Sequence, residues 1–192
     1  MTLDRRLNYI VSGLERSGTS MLMQILQAGG VPSEFDQESR PPDDDNPRGY
    51  FELEGGKIIN KLMNNEFSFE PYKGKFIKIT AYGLKFLPEG NYKVIYSQRN
   101  IEEILDSMEK MAKIQDENRE DTRIVFTKLN DMIMKRIEER EDIDVLFVSY
   151  NEIVADPAEN VKKIFDFLDS PEYDLEEMIA AVDKSLYRKR RQ

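Results

Sequence analysis

Residues 13–20, Gly13-Leu14-Glu15-Arg16-Ser17-Gly18-Thr19-Ser20, follow the apolar run Tyr9-Ile10-Val11 and precede Met21-Leu22-Met23-Gln24-Ile25-Leu26, a stretch of helical character. Glycines at both ends of such a loop let the backbone turn until several N–H groups face one point, and a following helix adds its positive N-terminal end. A dense anion binds there. The spacing Gly13-x4-Gly18-x-Ser20 fits the Walker phosphate-loop pattern, but Thr19 stands where that pattern has its lysine, and a cation comes three residues earlier as Arg16. Hydroxyls at Ser17, Thr19 and Ser20 add hydrogen bonds, and Arg16 offers a charged planar fork suited to a phosphate or sulfuryl group. A ligand-free strand–turn–helix corner would need a glycine or two, not the arginine and the hydroxyls.

A second anion site is suggested where Val94-Ile95-Tyr96-Ser97 runs out into Gln98-Arg99-Asn100 and then an amphipathic stretch. Ser107 lies in line with Ile104 and Met111 on that stretch, so its hydroxyl points toward the protein and wants a partner. The plainer alternative makes Arg99 a strand-end surface cation and lets Ser107 bond the carbonyl one turn back.

The elements that must position these residues follow from periodicity. Runs rich in β-branched and aromatic residues at Tyr9–Val11, Phe76–Thr80, Tyr92–Ser97 and Val145–Tyr150 alternate with helical patterns, which predicts a parallel sheet covered by helices. A helix from about Thr19 closes at Gly29-Gly30; a second carries Ile101, Ile104, Leu105, Met108 and Met111; a third carries Val125, Leu129, Met132, Ile133 and Ile137, and both stripes read as core. Asp156-Pro157-Ala158-Glu159 combines an N-cap, a proline at the first helical position and a capping-box glutamate; Ser170-Pro171 stops that helix, and Leu175, Met178, Ile179 and Val182 form a last one. Between helices, 31–50 holds four prolines and Asp43-Asp44-Asp45, which reads as a solvated functional loop rather than a metal site.

Composition narrows the chemistry. At 192 residues one domain, 1–192, is expected. A net charge of −9 argues against nucleic acid as a partner, and no apolar run is long enough for a membrane span. The absence of cysteine and of a signal-like N-terminus points to the cytoplasm. With no histidine, the commonest general base is missing. The cationic tail 188–192, Arg188-Lys189-Arg190-Arg191-Gln192, is either a solvated terminus or, through Arg188, a cofactor contact.

Together these segments resemble the sulfotransferases that use 3′-phosphoadenylyl sulfate (PAPS). Gly13–Ser20 looks like that family's 5′-phosphosulfate loop, in which a lysine or arginine precedes Ser-Gly-Thr. Arg99 and Ser107 look like its 3′-phosphate pair. Tyr150-Asn151-Glu152-Ile153-x2-Asp156-Pro157 is similar to the strand-to-helix segment whose tyrosine lies near the adenine. Asn46-Pro47-Arg48-Gly49-Tyr50-Phe51-Glu52 resembles a segment of bacterial-type members. The resemblance runs from about residue 8 to 168 and implies a three-layer α/β/α P-loop-like domain with a mainly parallel sheet of about 4–5 strands. It implies PAPS as donor, adenosine 3′,5′-bisphosphate (PAP) as product, no required metal, and cofactor contacts from Gly13, Arg16, Ser17, Gly18, Thr19, Ser20, Arg99, Ser107 and Tyr150. The acceptor, a small molecule, glycan or lipid head group, is left open.

Two departures mark the catalytic centre. Lys78 matches a family strand lysine, but Thr80 stands where that strand has its histidine base, so the candidates for the base are Glu52, then Glu38 and Glu34. Glu15 stands where a proline often precedes the cation. A P-loop small-molecule or nucleotide kinase is the rival enzyme, and Thr19 in place of the Walker lysine counts against it. A nucleotide-binding protein that lost its base is the non-catalytic alternative.

Overall fold

The computed structural model describes residues 3–36 and 49–183. Four strands, β1 (Asn8–Gly13), β2 (Phe76–Lys78), β3 (Tyr92–Gln98) and β4 (Ile143–Ser149), form a parallel sheet in the order β2-β1-β3-β4. Successive side chains alternate between two cores. Tyr9, Val11, Phe76 and Ile95 enter one, and Ile10, Ile77, Val94 and Tyr96 the other. Because both faces are covered, β1 is buried at every position and reads as an apolar run.

The first core is closed by α1 (Thr19–Ala28), α6 (Pro157–Leu168) and α7 (Leu175–Ala180), with Ile153 of α5 (Tyr150–Ala155). The second is closed by α2 (Ile58–Met63), a 3-10 helix over Ala81–Phe86, α3 (Ile101–Ala112) and α4 (Arg119–Glu138). These are the three layers expected. Helix starts follow their sequence signals. Asp156 accepts from the Glu159 N–H at 3.2 Å with Pro157 at the first turn, and Asn100 accepts from the Glu102 N–H at 2.9 Å to begin α3.

Three expectations change. β2 stops at Lys78, because Thr80 is already the cap residue of the 3-10 helix. β4 begins at Ile143, and Tyr150 opens α5, where the Ser149 hydroxyl accepts from the Glu152 N–H at 3.3 Å. Val125 and Met132 are not core: they are 60% and 45% exposed, and α4 buries only Ile133 and Ile137. The start of α4 is held to α3 by charge instead, with Arg119 reaching Glu102 at 2.9 Å, Asp106 at 2.7 Å and Glu109 at 2.9 Å.

The strand order places the site. From β1 the chain moves outward to β2 past the first core's α1, then returns across the other face to β3, so β1 and β3 flank the topological switch point. Ligands of open α/β sheets bind at the carboxyl ends of such strands. The 13–20 loop and Arg99 leave the sheet there.

Candidate active site

Beyond β1, Leu14–Ser17 close a turn in which the Ser17 N–H donates to the Leu14 carbonyl at 3.1 Å. Arg16 takes a φ of 64°, a left-handed conformation that surrounding contacts must hold. They do so from β3: the Arg16 carbonyl accepts from Arg99 Nη1 at 3.0 Å, and the Ser17 carbonyl accepts from the Ser97 hydroxyl at 2.7 Å. Two glycines are sterically required. A Cβ on Gly13 would lie 2.6 Å from the Ser97 carbonyl oxygen, and one on Gly18, at φ 102°, would overlap the Tyr150 ring.

Ser17 Oγ is fully buried and has no hydrogen-bond partner among the described residues. An unsatisfied buried hydroxyl costs about 1–3 kcal/mol, and it lies in a loop running into the N-terminus of α1. That combination fits an anion. Thr19 is buried beside it, and the Ser20 hydroxyl donates to the Tyr50 carbonyl at 3.3 Å.

The second group of site residues is assembled around Arg99, which is not a surface cation: its side chain is 9% exposed. Its Nε donates to Glu103 at 3.1 Å, and the Glu103 oxygens also accept from Asn151 Nδ2 at 3.1 and 3.2 Å. The guanidinium carbon lies 4.3 Å from the centre of the Tyr150 ring, so the cation rests against an aromatic face. Burial pushes the Tyr150 hydroxyl above its ordinary value of 10.0. Ser107 turns inward as its helical position requires, and its oxygen accepts from Arg16 Nε at 2.9 Å. The Gly13–Ser20 loop and the group around Arg99 and Ser107 are thus one hydrogen-bonded unit.

Lys78, 7% exposed, joins from the other side, its ammonium donating to the same Tyr50 carbonyl that Ser20 reaches. Glu52 follows two residues later in a segment of left-handed residues, with Phe51 at φ 55° and Glu54 at φ 57°. The Glu52 carbonyl accepts from the Asp36 N–H at 2.7 Å, and the buried Phe51 ring packs at a tilt against Phe35, centroids 4.7 Å apart. Glu34 is committed elsewhere, in an ion pair with Lys75 at 2.6 Å. Thr80 caps the 3-10 helix, and Glu15 is exposed.

A model of the sulfotransferase domain matches residues 7–191. The chain belongs to the sulfotransferase family. Its reaction class is transfer of a sulfuryl group. Among solved structures, this sulfotransferase is similar to mouse sulfotransferase SULT7A1 complexed with PAP, at 14% identity and a TM-score of 0.53, covering 98% of this chain and 68% of that one. Sulfotransferase STF9 from Mycobacterium avium shares 13% identity at a TM-score of 0.54, covering 100% and 70%. The sulfotransferase domain from the curacin biosynthetic pathway shares 16% at a TM-score of 0.50, covering 97% and 90%. At such identities these structures show a common fold. No curated protein matches the chain. Among the described residues, no helix is long and apolar enough to cross a membrane.

Of the residues singled out from sequence, the fold brings together Gly13, Arg16, Ser17, Gly18, Arg99, Ser107 and Tyr150, with Lys78 linked through Tyr50 and Ser20. Glu38, Asp43–Asp45, Asn46–Arg48 and Arg188 lie outside the described residues. Sequence reasoning missed Ser97, Glu103 and Asn151. Glu103 carried a usable signal: it lies one helical turn after Arg99, at ion-pair spacing, directly before the buried pair Ile104 and Leu105.

Proposed function

We propose that this sulfotransferase uses PAPS as its donor and transfers the sulfuryl group to a hydroxyl or amine of a small-molecule, glycan or lipid-head-group acceptor, acting as one domain in the cytoplasm. The observation that carries this reading is the coupling of two anion-binding groups at the switch point, through Arg16 Nε to Ser107 at 2.9 Å and Arg99 Nη1 to the Arg16 carbonyl at 3.0 Å. PAPS carries two anionic ends joined by one nucleoside, so it needs such a pair.

In this reading the loop N–H groups, Ser17, Thr19 and Ser20 hold the 5′-phosphosulfate, and Arg99 with Ser107 holds the 3′-phosphate. Tyr150 lies at the adenine end. The acceptor oxygen attacks sulfur in line while the bond from sulfur to the 5′-phosphate oxygen breaks; the acceptor proton passes to a base, and PAP leaves. Charge builds on the leaving oxygen and spreads over the sulfuryl oxygens, so the protein's task is placement and cationic stabilisation. A guanidinium has five N–H donors, so its bond to Ser107 leaves Arg16 able to serve the leaving oxygen as well. Lys78 supplies the second cation. Glu52 is the first candidate for the base, with Glu38 and Glu34 the alternatives.

Incubating the chain with PAPS labelled in its sulfuryl group and a panel of phenols, alcohols, amines and glycans tests the reading, with label expected on at least one acceptor and lost in Arg16→Ala. Because no histidine exists in the chain, a second reading keeps donor binding without transfer. Tight PAP binding with no label transferred to any acceptor would favour it.

A further inference from the structure

Ser97 is a polar residue in a run that is otherwise apolar and aromatic. It follows Val94-Ile95-Tyr96 near the end of β3, is 0% exposed, and pairs with Gly13 of β1. A hydroxyl buried there needs a partner, and it finds one in the 13–20 loop: Ser97 Oγ donates to the Ser17 carbonyl at 2.7 Å, across 80 positions of chain. By alternation Ser97 shares a face of β3 with Ile95, which enters the core that α1 closes, so its side chain lies on the side over which the loop runs to reach α1. Arg99, two residues on, takes the Arg16 carbonyl. The end of β3 thus holds two successive carbonyls of the loop.

Holding a carbonyl also aims the amide joined to it. Among the described residues no peptide is cis, so the Ser17–Gly18 unit is planar and trans, and its N–H points opposite to its C=O. With the oxygen drawn to β3, the Gly18 N–H faces away from β3 at the threshold of α1, and it has no hydrogen-bond partner among the described residues. Beside it lies Ser17 Oγ, buried and equally without a partner among them. Turned over, the same peptide would present its carbonyl oxygen where an anion must sit, and residue 18 would return from φ 102° to the negative range that every residue favours. Glycine at 18 admits both orientations, and the Ser97 hydroxyl selects one.

We infer that Ser97 is a positioning residue of the donor site: its hydroxyl fixes the Ser17–Gly18 peptide with the carbonyl toward β3, so that the Gly18 N–H and Ser17 Oγ meet the 5′-phosphosulfate. Ser97 acts through the loop and touches no ligand. A donor already aimed need not be ordered when the anion arrives, and hydrogen bonds to an ionised acceptor are about twice as strong as neutral ones. This role rests on the reading of residues 13–20 as an anion site and not on the nucleotide that brings the anion.

Ser97→Ala removes the hydroxyl and adds no bulk. Calorimetry with PAP, adenosine 5′-phosphosulfate, adenosine 3′-phosphate and inorganic pyrophosphate reads its effect on each end of the site. The variant is expected to bind PAP, the phosphosulfate and pyrophosphate roughly tenfold more weakly than the parent, and adenosine 3′-phosphate within about twofold of it. Ser97→Cys keeps a weak donor and is expected to lie between the two; it carries the same comparison if melting curves show that Ser97→Ala does not fold. A merely structural hydroxyl would lower the melting temperature and leave the pattern of affinities alone. Unchanged affinities, an equal loss for all the ligands, or a parent that binds none of them would overturn the proposal. A parent that binds pyrophosphate but no adenosine ligand would contradict PAPS as donor, and the response of pyrophosphate to Ser97→Ala would then decide the role of Ser97 by itself.

Discussion

Removing Arg99 separates its part in the fold from its part in ligand binding. Arg99→Ala takes a cationic partner from the Glu103 carboxylate, which is 1% exposed and also accepts from Asn151, and breaking a buried pair from one side costs about 3–5 kcal/mol. Loss of the contact with Tyr150 adds about 0.5–2 kcal/mol. On a total stability of about 5–15 kcal/mol this is a large fraction, and urea midpoints report it. Arg99→Ala with Glu103→Ala removes the stranded charge and is expected to regain about 2–3 kcal/mol, the coupling typical of contacting residues. Binding is expected to behave differently. If Arg99 holds the 3′-phosphate, losing charge-assisted hydrogen bonds worth about 1.5–3 kcal/mol weakens PAP about 10- to 150-fold in the single and the double variant alike. Adenosine 5′-phosphosulfate, which lacks that phosphate, loses much less. Stability and PAP affinity recovering together in the double variant would refute the 3′-phosphate role and leave Arg99 a structural residue.

Gly18→Ala forces a φ of 102° on an L-residue and pushes a methyl into Tyr150; a loss of at least about 1–3 kcal/mol is expected in denaturation, partly recovered by adding Tyr150→Ala. Wild-type stability in the single variant would contradict the packing described. Glu52→Gln is expected to slow sulfuryl transfer by about 10²–10⁴-fold while PAP affinity stays constant in calorimetry, and an unchanged turnover would remove Glu52 as the base. Far from the site, the Arg140 side chain holds the Asp142 carboxyl down from 3.8 to about 2. The stabilisation is present above about pH 4 and lost as pH falls through about 2. Asp142→Asn should therefore melt below the parent at neutral pH and converge with it near pH 2; a constant gap would show that charge is not the cause.

What was legible in the sequence is local. The four strands, the helix starts at Thr19 and Pro157, and the 13–20 loop each depend on neighbouring residues, and periodicity or spacing finds them. Ser107 was placed because helical geometry fixes its direction from Ile104 and Met111. The partners were not legible. Arg16 reaches Ser107 across 91 positions and Ser97 reaches Ser17 across 80, and only the switch between β1 and β3 sets those distances. Val125 and Met132 went astray for a related reason. Helical spacing marks out a face, but an apolar residue on it can also stand in solvent, as Val125 and Met132 do at 60% and 45% exposure.

Calorimetry with adenosine 3′,5′-bisphosphate and with ATP, each with and without Mg²⁺, tests the central claim most directly. Binding of the bisphosphate at equal strength with and without metal, and well above that of Mg-ATP, is the expected result. Preference for Mg-ATP would contradict the account and make the Gly13–Ser20 loop a triphosphate site.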